Sequence, residues 1–573
     1  MIKTNLGTRY FKFQSSSLKF VFLVGALLSW GIANAQVLPS TIDPGRIEEP
    51  FNPDSLRLPE SETDKKDLYI SEPPKDSENI RFELKRVELI GVTAFSEAEI
   101  ATIYQNFLSK EITLSMVWDF AAKITNIYRE KGYFLSRAFV PKQEITDGVV
   151  RIEVYEGYLS EIIFPEANKI GISNIAAHTA KVINERPLRF STLETFLLLL
   201  NDLPGQQFRS YIEPSIDPVS GKNASRAIIS RSETKGQFKL SWDMGGSKLV
   251  GKHRAGLSYQ GSLFPGQQTE LSTLTASPNG KLEYMLASHT IPIELDKQIQ
   301  FSVTRTQVSP GGDLENLDIE SNSLGFDASM LWKTIRTRTE NLNLSVEMSS
   351  RTTRTNILET IPLVRERVRS VTGKLHYDIT QTGRRHFVDA SLTKGLRVAG
   401  ASRKGDAGLS RANAEPDFTI LRLDYALEQY LFPNFILTWA TSAQGADTAL
   451  HSFNEFGYGG SSYGRSYDFS QFTGDHGVST KLELRHEGLA VPYTSIRFLP
   501  YVFYDIGRVW NIEEANPNNG SASSYGLGAY FLNQKSLSLN VGFALTDRIF
   551  TNDVQNAGSS DSKRLLFQLE YRL

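Results

Sequence analysis

From Gly236 to Leu573 apolar and polar residues alternate in short runs, and we find no segment with helical periodicity. The final run is the clearest example. Every second residue from Leu565 to Leu573 is apolar, and Gln568, Glu570 and Arg572 lie between them. A strand with one apolar and one charged face suits a transmembrane barrel, which has lipid outside and water inside. A soluble β-sandwich is the alternative that this pattern leaves open.

The run VSTKLELRHE (478–487) repeats this pattern earlier in the region. Its charged residues Lys481, Glu483 and Arg485 alternate with Leu482 and Leu484. Because neighbouring side chains of a strand point to opposite faces, we expect the charges to face inward and the leucines to face lipid.

Upstream of this region, two stretches share the predicted order β-α-α-β-β. The first covers 81–156 and the second covers 157–234. A helix in each is predicted to begin with a Ser-x-x-Glu capping box, Ser96–Glu99 in the first and Ser191–Glu194 in the second. A repeated small α+β unit is expected to present strand edges to partners.

The chain begins with a targeting segment. Basic residues precede the apolar run FVFLVGALLSWGIA (20–33), and small residues follow it up to Ala35. This order predicts a secretory signal peptide over 1–35, with the mature chain beginning near Gln36. A signal anchor is the alternative, but the 14 residues of this run are fewer than the ~20 that a spanning helix needs.

Residues 36–80 are rich in proline and charge, which predicts a linker without a core of its own. Within it, TIDPGRIEEPF (41–51) is the candidate for a plug inside a barrel. Pro44 and Pro50 interrupt this segment, so we assign no helix to it.

Composition narrows the classes of function. The formal net charge of −2 shows no basic excess that would indicate a nucleic-acid partner. Cysteine is absent, which excludes disulfides, thiolate metal sites and cysteine nucleophiles. The histidines show no metal-ligand spacing, and no phosphate-binding loop is present. We therefore expect no metal, no cofactor and no nucleic-acid partner.

The glycine-rich stretch FGYGGSSYGRSYDFS (456–470) interrupts the alternating runs and predicts a loop. Its GSSYG (460–464) fits the G-x-S-x-G pattern of a hydrolase nucleophile elbow. That elbow needs an apolar helix after the serine, and none is predicted here, so Ser462 is not expected to be catalytic. His486-Glu487 begins like a zinc-protease motif but lacks the second histidine.

Four segments, in this order, resemble motifs of one family. The stretch EKGYFLSRAFVPKQEITDGVVRIEVYEGYLSEI (130–162) resembles the first POTRA domain of the outer-membrane transporters of two-partner secretion (TpsB or ShlB/FhaC/HecB type). LNDLPG (200–205) resembles a motif in their second POTRA domain. FNEFGYGGSSYGRSYD (453–468) resembles the Arg-Gly-Tyr loop of the wider Omp85 superfamily, and FYD (503–505) resembles its F-x-D motif.

The resemblance implies a fold. It places POTRA 1 at 81–156, POTRA 2 at 157–234 and a transmembrane barrel at 235–573. The barrel would have about sixteen antiparallel strands, and a loop near 456–476 would fold into its lumen.

The resemblance also implies a lock that holds this loop. Arg465 would meet Asp505 on the barrel wall, and Phe503 would share the inner face of the strand with Asp505. In a wet lumen such a pair would contribute ~1 kcal/mol or less. The complete expected set comprises the lock residues Arg465, Tyr467, Asp505 and Phe503 and the loop glycines Gly459, Gly460 and Gly464.

One position departs from the family pattern, because Ser466 stands where the Arg-Gly-Tyr motif has glycine. A glycine adopts positive φ freely, whereas a serine does so at a cost. Either the backbone at Ser466 is ordinary, or the neighbouring Gly464 makes the turn.

The function implied by the resemblance is secretion across the outer membrane, with the POTRA domains in the periplasm. The chain would bind an unfolded adhesin-like or haemolysin-like exoprotein through POTRA strand edges and pass it through the barrel. A factor that assembles outer-membrane proteins, which usually has more POTRA domains, is the alternative within the superfamily. A passive porin and an enzyme carried on a barrel are alternatives from other classes. The expected partners are the exoprotein and outer-membrane lipid.

Overall fold

The computed structural model describes residues 39–47, 73–165, 175–264, 266–278, 280–512, 519–533, 536–551 and 563–573. The predicted signal peptide (1–35) and most of the predicted linker lie outside these residues. No helix within the described part of the chain is both long and apolar enough to cross a membrane.

The first module places two helices against small sheets. Its elements are β1 (Arg81–Leu84), β2 (Arg86–Ile90), α1 (Glu97–Ala101), a 3₁₀ turn (Gln105–Phe107), β3 (Lys110–Thr113), α2 (Leu114–Glu130), β4 (Arg137–Phe139) and β5 (Val149–Tyr155). Strand β5 lies between β2 and β4, and β1 pairs with β3. The predicted capping box is confirmed, since the Ser96 hydroxyl accepts from the Glu99 amide and the Glu99 carboxylate accepts from the Ser96 amide. Residues at helical spacing along α2, from Val117 to Tyr128, fill the core.

The second module has the predicted order β-α-α-β-β, with β6 (Leu159–Ile163), α3 (Ile175–Asn184), α4 (Phe190–Asn201), β7 (Gln206–Ile216) and β8 (Asn223–Glu233). The first module departs from that order, because the pair of β1 and β3 forms an additional small sheet and β3 lies between the two helices. The sheet of the second module has the order β6-β8-β7. The second capping box is wrong. Helix α4 begins at Phe190, and the N-cap residue Arg189 makes no side-chain cap. Glu194 instead forms an ion pair of 3.0 Å with Arg338 of the barrel, so a tertiary contact outweighs the local cap.

The remaining strands follow one another with few interruptions. They are β9 (Gln237–Asp243), β10 (His253–Gly261), β11 (Gln268–Ser277), β12 (Gly280–Pro292), β13 (Lys297–Pro310), β14 (Glu320–Arg336), β15 (Glu340–Ile357), β16 (Ile361–Gln381), β17 (Arg384–Gly395), β18 (Thr419–Phe432), β19 (Phe435–Ala446), β20 (Phe456–Tyr458), β21 (Phe472–Gly474), β22 (His476–His486), β23 (Leu489–Ala490), β24 (Ile496–Trp510), β25 (Gly520–Asn533), β26 (Leu537–Thr551) and β27 (Lys563–Arg572). Two 3₁₀ turns, Gly312–Leu317 and Ser452–Asn454, lie between strands.

Sixteen of these strands close into one antiparallel barrel, in which β27 pairs with β9. The two-residue β23 pairs only with β24, and β20 and β21 form a separate hairpin. The fold class is therefore confirmed: α+β modules precede an all-β barrel. Closure leaves the barrel without a free edge, as a membrane-spanning sheet requires.

The alternation predicted for the final strand is confirmed. Leu565 and Tyr571 are 50% and 41% exposed on the outer surface, whereas Gln568 and Glu570 are 8% and 6% exposed inside. A soluble sandwich would bury its apolar face between two sheets. Here the apolar face is outside a single closed sheet, which excludes that alternative.

The predicted linker does have structure at residues 39–47, which include part of the plug candidate 41–51. This segment forms a 3₁₀ turn at Ser40–Ile42 and lies inside the barrel. Ile42 is 1% exposed and packs against Leu274 and Val308 on the inner wall. Apolar burial by the wall supplies the free energy that the proline-rich segment cannot gain alone.

We expect Val303→Arg to destabilise the barrel by about 2–4 kcal/mol if the residue lies near the bilayer midplane. The reason is that Val303 is 41% exposed on the outer, lipid-facing surface of β13. The measurement is the temperature at which the folded, heat-modifiable form disappears on a gel. The matched control is Thr304→Arg, because Thr304 lines a cavity inside the barrel. Equal losses from both variants would contradict the assignment of the faces.

Candidate functional site

The glycine-rich stretch belongs to the connection between β19 and β22, and its aromatic residues pack against the inner wall of the barrel. The β20–β21 hairpin lies within it. Phe456, Tyr458 and Tyr467 are buried together against Val509 and Ala522 of the wall. The loop therefore has an aromatic core that includes the barrel itself.

Arg465 reaches Asp505 on β24 with both its side chain and its backbone. Its Nη2 and Nε donate to the two carboxylate oxygens of Asp505 at 2.9 and 3.1 Å. The Arg465 amide donates to the Oδ2 of Asp505 at 3.0 Å. A bidentate fork sets orientation as well as position, so these three bonds fix the turn that carries Arg465.

Glu483 on β22 is a second carboxylate partner that was missing from the expected set. Its Oε2 accepts from Arg465 Nη1 at 2.6 Å. The alternation of VSTKLELRHE did place Glu483 on the inward face. Alternation does not predict how deep along the barrel a residue lies, because that depends on strand register. In the register of β22 and β24, Glu483 stands opposite Phe503.

Phe503 lies beneath the guanidinium, with the Arg465 Cζ 3.5 Å from the centre of its ring. A cation over an aromatic face is attracted by the ring quadrupole. Val502, Tyr504 and Ile506 alternate with these inward residues and are 53%, 39% and 48% exposed on the outer surface. The F-x-D spacing thus places one ring and one carboxylate on the same inner face.

The expectation of a wet, surface-like ion pair is wrong. Arg465, Asp505 and Glu483 are 5%, 0% and 5% exposed. Lys481 stands opposite Asp505 in the register of β22 and β24 and brings a second positive charge to this wall. In such a dry cluster, the loss of one partner leaves a charge uncompensated, which typically costs about 3–5 kcal/mol.

The three loop glycines adopt positive φ, a backbone conformation that favours glycine. Gly459, Gly460 and Gly464 have φ of +119°, +110° and +75°. A Cβ on Gly464 would stand within 2.9 Å of the Tyr458 ring. Ser466 is not among the residues with positive φ. Gly464 therefore makes the turn, and the serine keeps an ordinary backbone.

Tyr467 joins the loop to an irregular part of the wall. Its hydroxyl donates to the Ser523 carbonyl at 2.8 Å and lies 3.1 Å from the Arg548 carbonyl. The register of β25 and β26 shifts between Ser523 and Ser524, so that Asp547 is an extra residue on β26. Such a β-bulge disrupts the ladder locally, and Tyr467, which is 0% exposed, supplies a buried donor there.

Two further clusters hold the loop, and neither was predicted. Arg564 of β27 donates to the Tyr467 carbonyl and lies 3.1 Å from Asp468. At the base of the loop, the Arg411 Nη2 donates to Asp475 at 3.1 Å. Arg411 Nη1 also lies 3.1 Å from the Glu455 carboxylate. The local sequence does not predict these contacts, because each arginine is far from its partners in the chain and meets them only when the barrel closes.

The N-terminal segment 39–47 lies against the same loop. Arg46 donates to the carbonyls of Ser452 and Glu455, the second at 2.9 Å. Ser40 donates to the Ser470 carbonyl at 2.5 Å. The segment and the loop therefore occupy the lumen together, in mutual contact.

The rejected catalytic motifs have no catalytic surroundings here. Ser462 is exposed on the loop, and no helix follows it. The ring of His486, at the end of β22, accepts from the Gly488 amide at 3.0 Å. In the described part of the chain, no group of three His, Cys, Asp or Glu residues is placed to hold a metal ion.

Comparisons with known proteins agree with this architecture. Residues 82–157 match the family described as POTRA domain, ShlB-type. Residues 277–531 match the family described as haemolysin secretion/activation protein ShlB/FhaC/HecB. The heme/hemopexin transporter protein HuxB of Haemophilus influenzae is 24% identical over 480 residues, which cover 80% of this chain and 82% of HuxB.

Solved structures show the same fold. CdiB from Escherichia coli matches with a TM-score of 0.66 and 15% identity over 98% of both chains. BamA from Haemophilus ducreyi lacking POTRA domains 1–3 matches with a TM-score of 0.50 and 11% identity, over 86% of this chain and 100% of that one. The likeness to CdiB extends over more of this chain than the likeness to BamA.

We expect Arg465→Ala to lower the free energy of unfolding by about 3–5 kcal/mol, because Asp505 and Glu483 lose the cation between them. Arg465→Lys should be intermediate, since an ammonium keeps the charge but not the fork. Adding Asp505→Asn to Arg465→Ala should restore part of the loss. The measurement is again the temperature at which the heat-modifiable form disappears.

Arg422→Ala is the matched control for these Arg465 and Asp505 variants. Arg422 also pairs with an aspartate, Asp424 at 3.2 Å, but 46% of its side chain is exposed. This substitution should change the free energy by ~1 kcal/mol or less. Simple additivity of the Arg465 and Asp505 changes would show that the two residues act independently.

Tyr467→Phe should cost about 1–3 kcal/mol, because it leaves buried carbonyls of the bulge without their donor. Tyr463→Phe is the control on the same loop, since its hydroxyl makes neither of these contacts, and its effect should be close to zero. Equal effects of the two substitutions would assign the role of Tyr467 to its ring alone.

Proposed function

We propose how this chain works on the premise that it belongs to the ShlB/FhaC/HecB family of haemolysin secretion/activation proteins, the outer-membrane transporters of two-partner secretion. It lies in the outer membrane with its POTRA domains in the periplasm. Its activity is the secretion of an exoprotein through the barrel. The steps below concern the cargo, its capture and the role of the loop.

The cargo is a large adhesin-like or haemolysin-like exoprotein that arrives unfolded in the periplasm. The name of HuxB connects that relative with heme and hemopexin, and a cargo that serves heme capture is one member of this class. Transport draws on folding of the cargo outside the cell, because the sequence contains no nucleotide-binding motif. The chain itself catalyses no covalent chemistry.

The observation that carries the proposed capture step is the free edge of β7. This strand ends the sheet of POTRA 2, and no described strand pairs with its other side. Pro214 lies within β7, which suits an edge strand. Tyr211 and Ile216 are 54% and 66% exposed. An extended cargo segment adds to such an edge through backbone hydrogen bonds, with side-chain contacts that add specificity.

The locked loop controls passage. The loop and residues 39–47 fill part of the lumen, so an extended chain passes only when they rearrange. The bonds of Arg465 to Asp505 and Glu483 return the loop to one position after each rearrangement. Loss of this position lowers secretion even where the barrel still folds.

The test uses cells that make the full-length transporter and a tagged large exoprotein encoded beside it. The full chain is needed because Leu295 of the barrel completes the core of POTRA 2. Exoprotein should appear in the medium with the wild-type chain and should fall several-fold with Arg465→Ala. Ser462→Ala is the control, and it should secrete normally. Failure of the wild-type chain to export the exoprotein, while small solutes pass, would indicate a porin.

Capture is tested by crosslinking, because the chain has no cysteine of its own. Tyr211→Cys, on the outer face of β7, should crosslink to single cysteines in an N-terminal fragment of the exoprotein. Ile212→Cys is the control, since Ile212 packs against the domain core. Crosslinks at every second cargo position are expected for an added strand. Equal yields at 211 and 212 would exclude strand addition at β7.

A further inference from the structure

POTRA 2 rests on one side of the periplasmic mouth of the barrel. Its helix α4 and the following LNDLPG corner contact three successive barrel turns. Ser262 and Leu295 lie in the turns after β10 and β12, and Arg336 is the last residue of β14, before the third turn. The contact is separate from the loop lock inside the lumen.

Asp202 is the centre of the polar part of this contact. It is the C-cap residue of α4, where the helix dipole disfavours a carboxylate. The positive charge of Arg336 offsets this unfavourable interaction with the helix dipole, because its Nε and Nη2 donate to the two Asp202 oxygens at 2.8 Å each. Lys333 donates to the same carboxylate at 3.0 Å. Burial raises the pKa of Asp202, but the hydrogen bond from Arg336 and the charge of Lys333 outweigh it and keep the pKa below its usual value.

Leu295 provides an apolar contact at a second turn. It is 2% exposed and packs in the core of POTRA 2 with residues such as Leu199 and Leu203. Any movement of POTRA 2 away from the barrel would expose this leucine and open that core to water. Leu295 therefore belongs both to the core of POTRA 2 and to the contact between POTRA 2 and the barrel, which we call the joint.

Gly205 shows how close the two backbones come. Its φ is +68°, and a Cβ at this position would lie 2.5 Å from the Cβ of Ser262. Only glycine suits such an approach without displacement. Strand β7 begins at the next residue, Gln206, so the corner that docks on the barrel also starts the proposed cargo-binding edge.

We propose that Asp202 is a positioning residue for secretion: it anchors POTRA 2 to the barrel so that β7 keeps one orientation to the pore, and this joint stays closed during transport. This inference rests on the proposed function, because it assigns β7 as the receiving edge. It assigns the LNDLPG corner to docking rather than to cargo contact.

The experiment tethers the joint at a site next to Asp202. Glu194→Cys and Arg338→Cys replace an ion pair of 3.0 Å across the same contact, and the absence of native cysteine makes their crosslink specific. A short bis-maleimide should join them in high yield without any cargo present. Secretion of the tagged exoprotein by the tethered chain should equal that of the untreated chain. Blocked secretion after tethering would show that the joint opens, and would overturn the proposal.

Asp202→Asn, added to this cysteine pair, removes the charge at nearly constant size. We expect a lower crosslink yield and a several-fold loss of secretion, while heat-modifiable migration persists. The molecules that do become tethered should secrete normally, because the tether replaces the anchor. Glu294→Ala is the control, since its ion pair with Lys297, 2.8 Å long, lies within a single turn. Normal secretion by Asp202→Asn, or no recovery on tethering, would contradict the proposal.

Crosslink yield separates this inference from the proposed function. If the wild-type chain exports no exoprotein, the proposed function fails, although a high yield would still show a closed joint. If the wild-type chain exports and the Asp202→Asn chain has the same yield and the same export, only the anchor is wrong.

Discussion

The buried guanidinium of Arg465 connects the loop to two strands of the barrel wall, and the position of the loop in the lumen depends strongly on that connection. Arg465 bonds to carboxylates of two neighbouring strands, Asp505 and Glu483, and lies on the ring of Phe503. All three charged groups are almost completely buried. A buried ion cluster of this kind gives little net stability, but it strongly disfavours every arrangement in which one charge loses its partners. It therefore acts mainly to select one position of the loop.

Other parts of the molecule use this position. In this position the aromatic residues of the loop pack against the wall, and Tyr467 bonds to the bulge of β25 and β26. Residues 39–47 also contact the loop in this position. A second contact lies at one end of the barrel, where Asp202 of the second module bonds to Arg336 and Leu295 of the barrel packs in the core of that module. In the proposed function, a secreted chain passes between these two contacts, from the edge of β7 to the loop that it displaces.

Local patterns determined most of the architecture. Alternation of apolar and polar residues specifies the faces of a strand, because successive side chains point in opposite directions. It correctly assigned Leu565 and Glu570 to opposite sides of the wall. The capping box at Ser96 and the order of helices and strands in the second module also follow from local sequence, whereas the β1–β3 pair of the first module was not predicted. The pairing partner of Arg465 was expected only from resemblance, since nothing near position 465 indicates position 505.

Tertiary structure decided the contacts that depend on closure and register. Glu483 joins Arg465 because β22 is aligned with β24 at one particular register, and alternation defines a face but no depth. Glu194 pairs with Arg338 and does not form the expected cap, because the barrel places a cation beside the helix that the local sequence does not contain. Residues 39–47 are ordered by the wall they touch. In each case the sequence specifies the chemistry of a side chain, and the closed barrel determines which distant partner comes within reach.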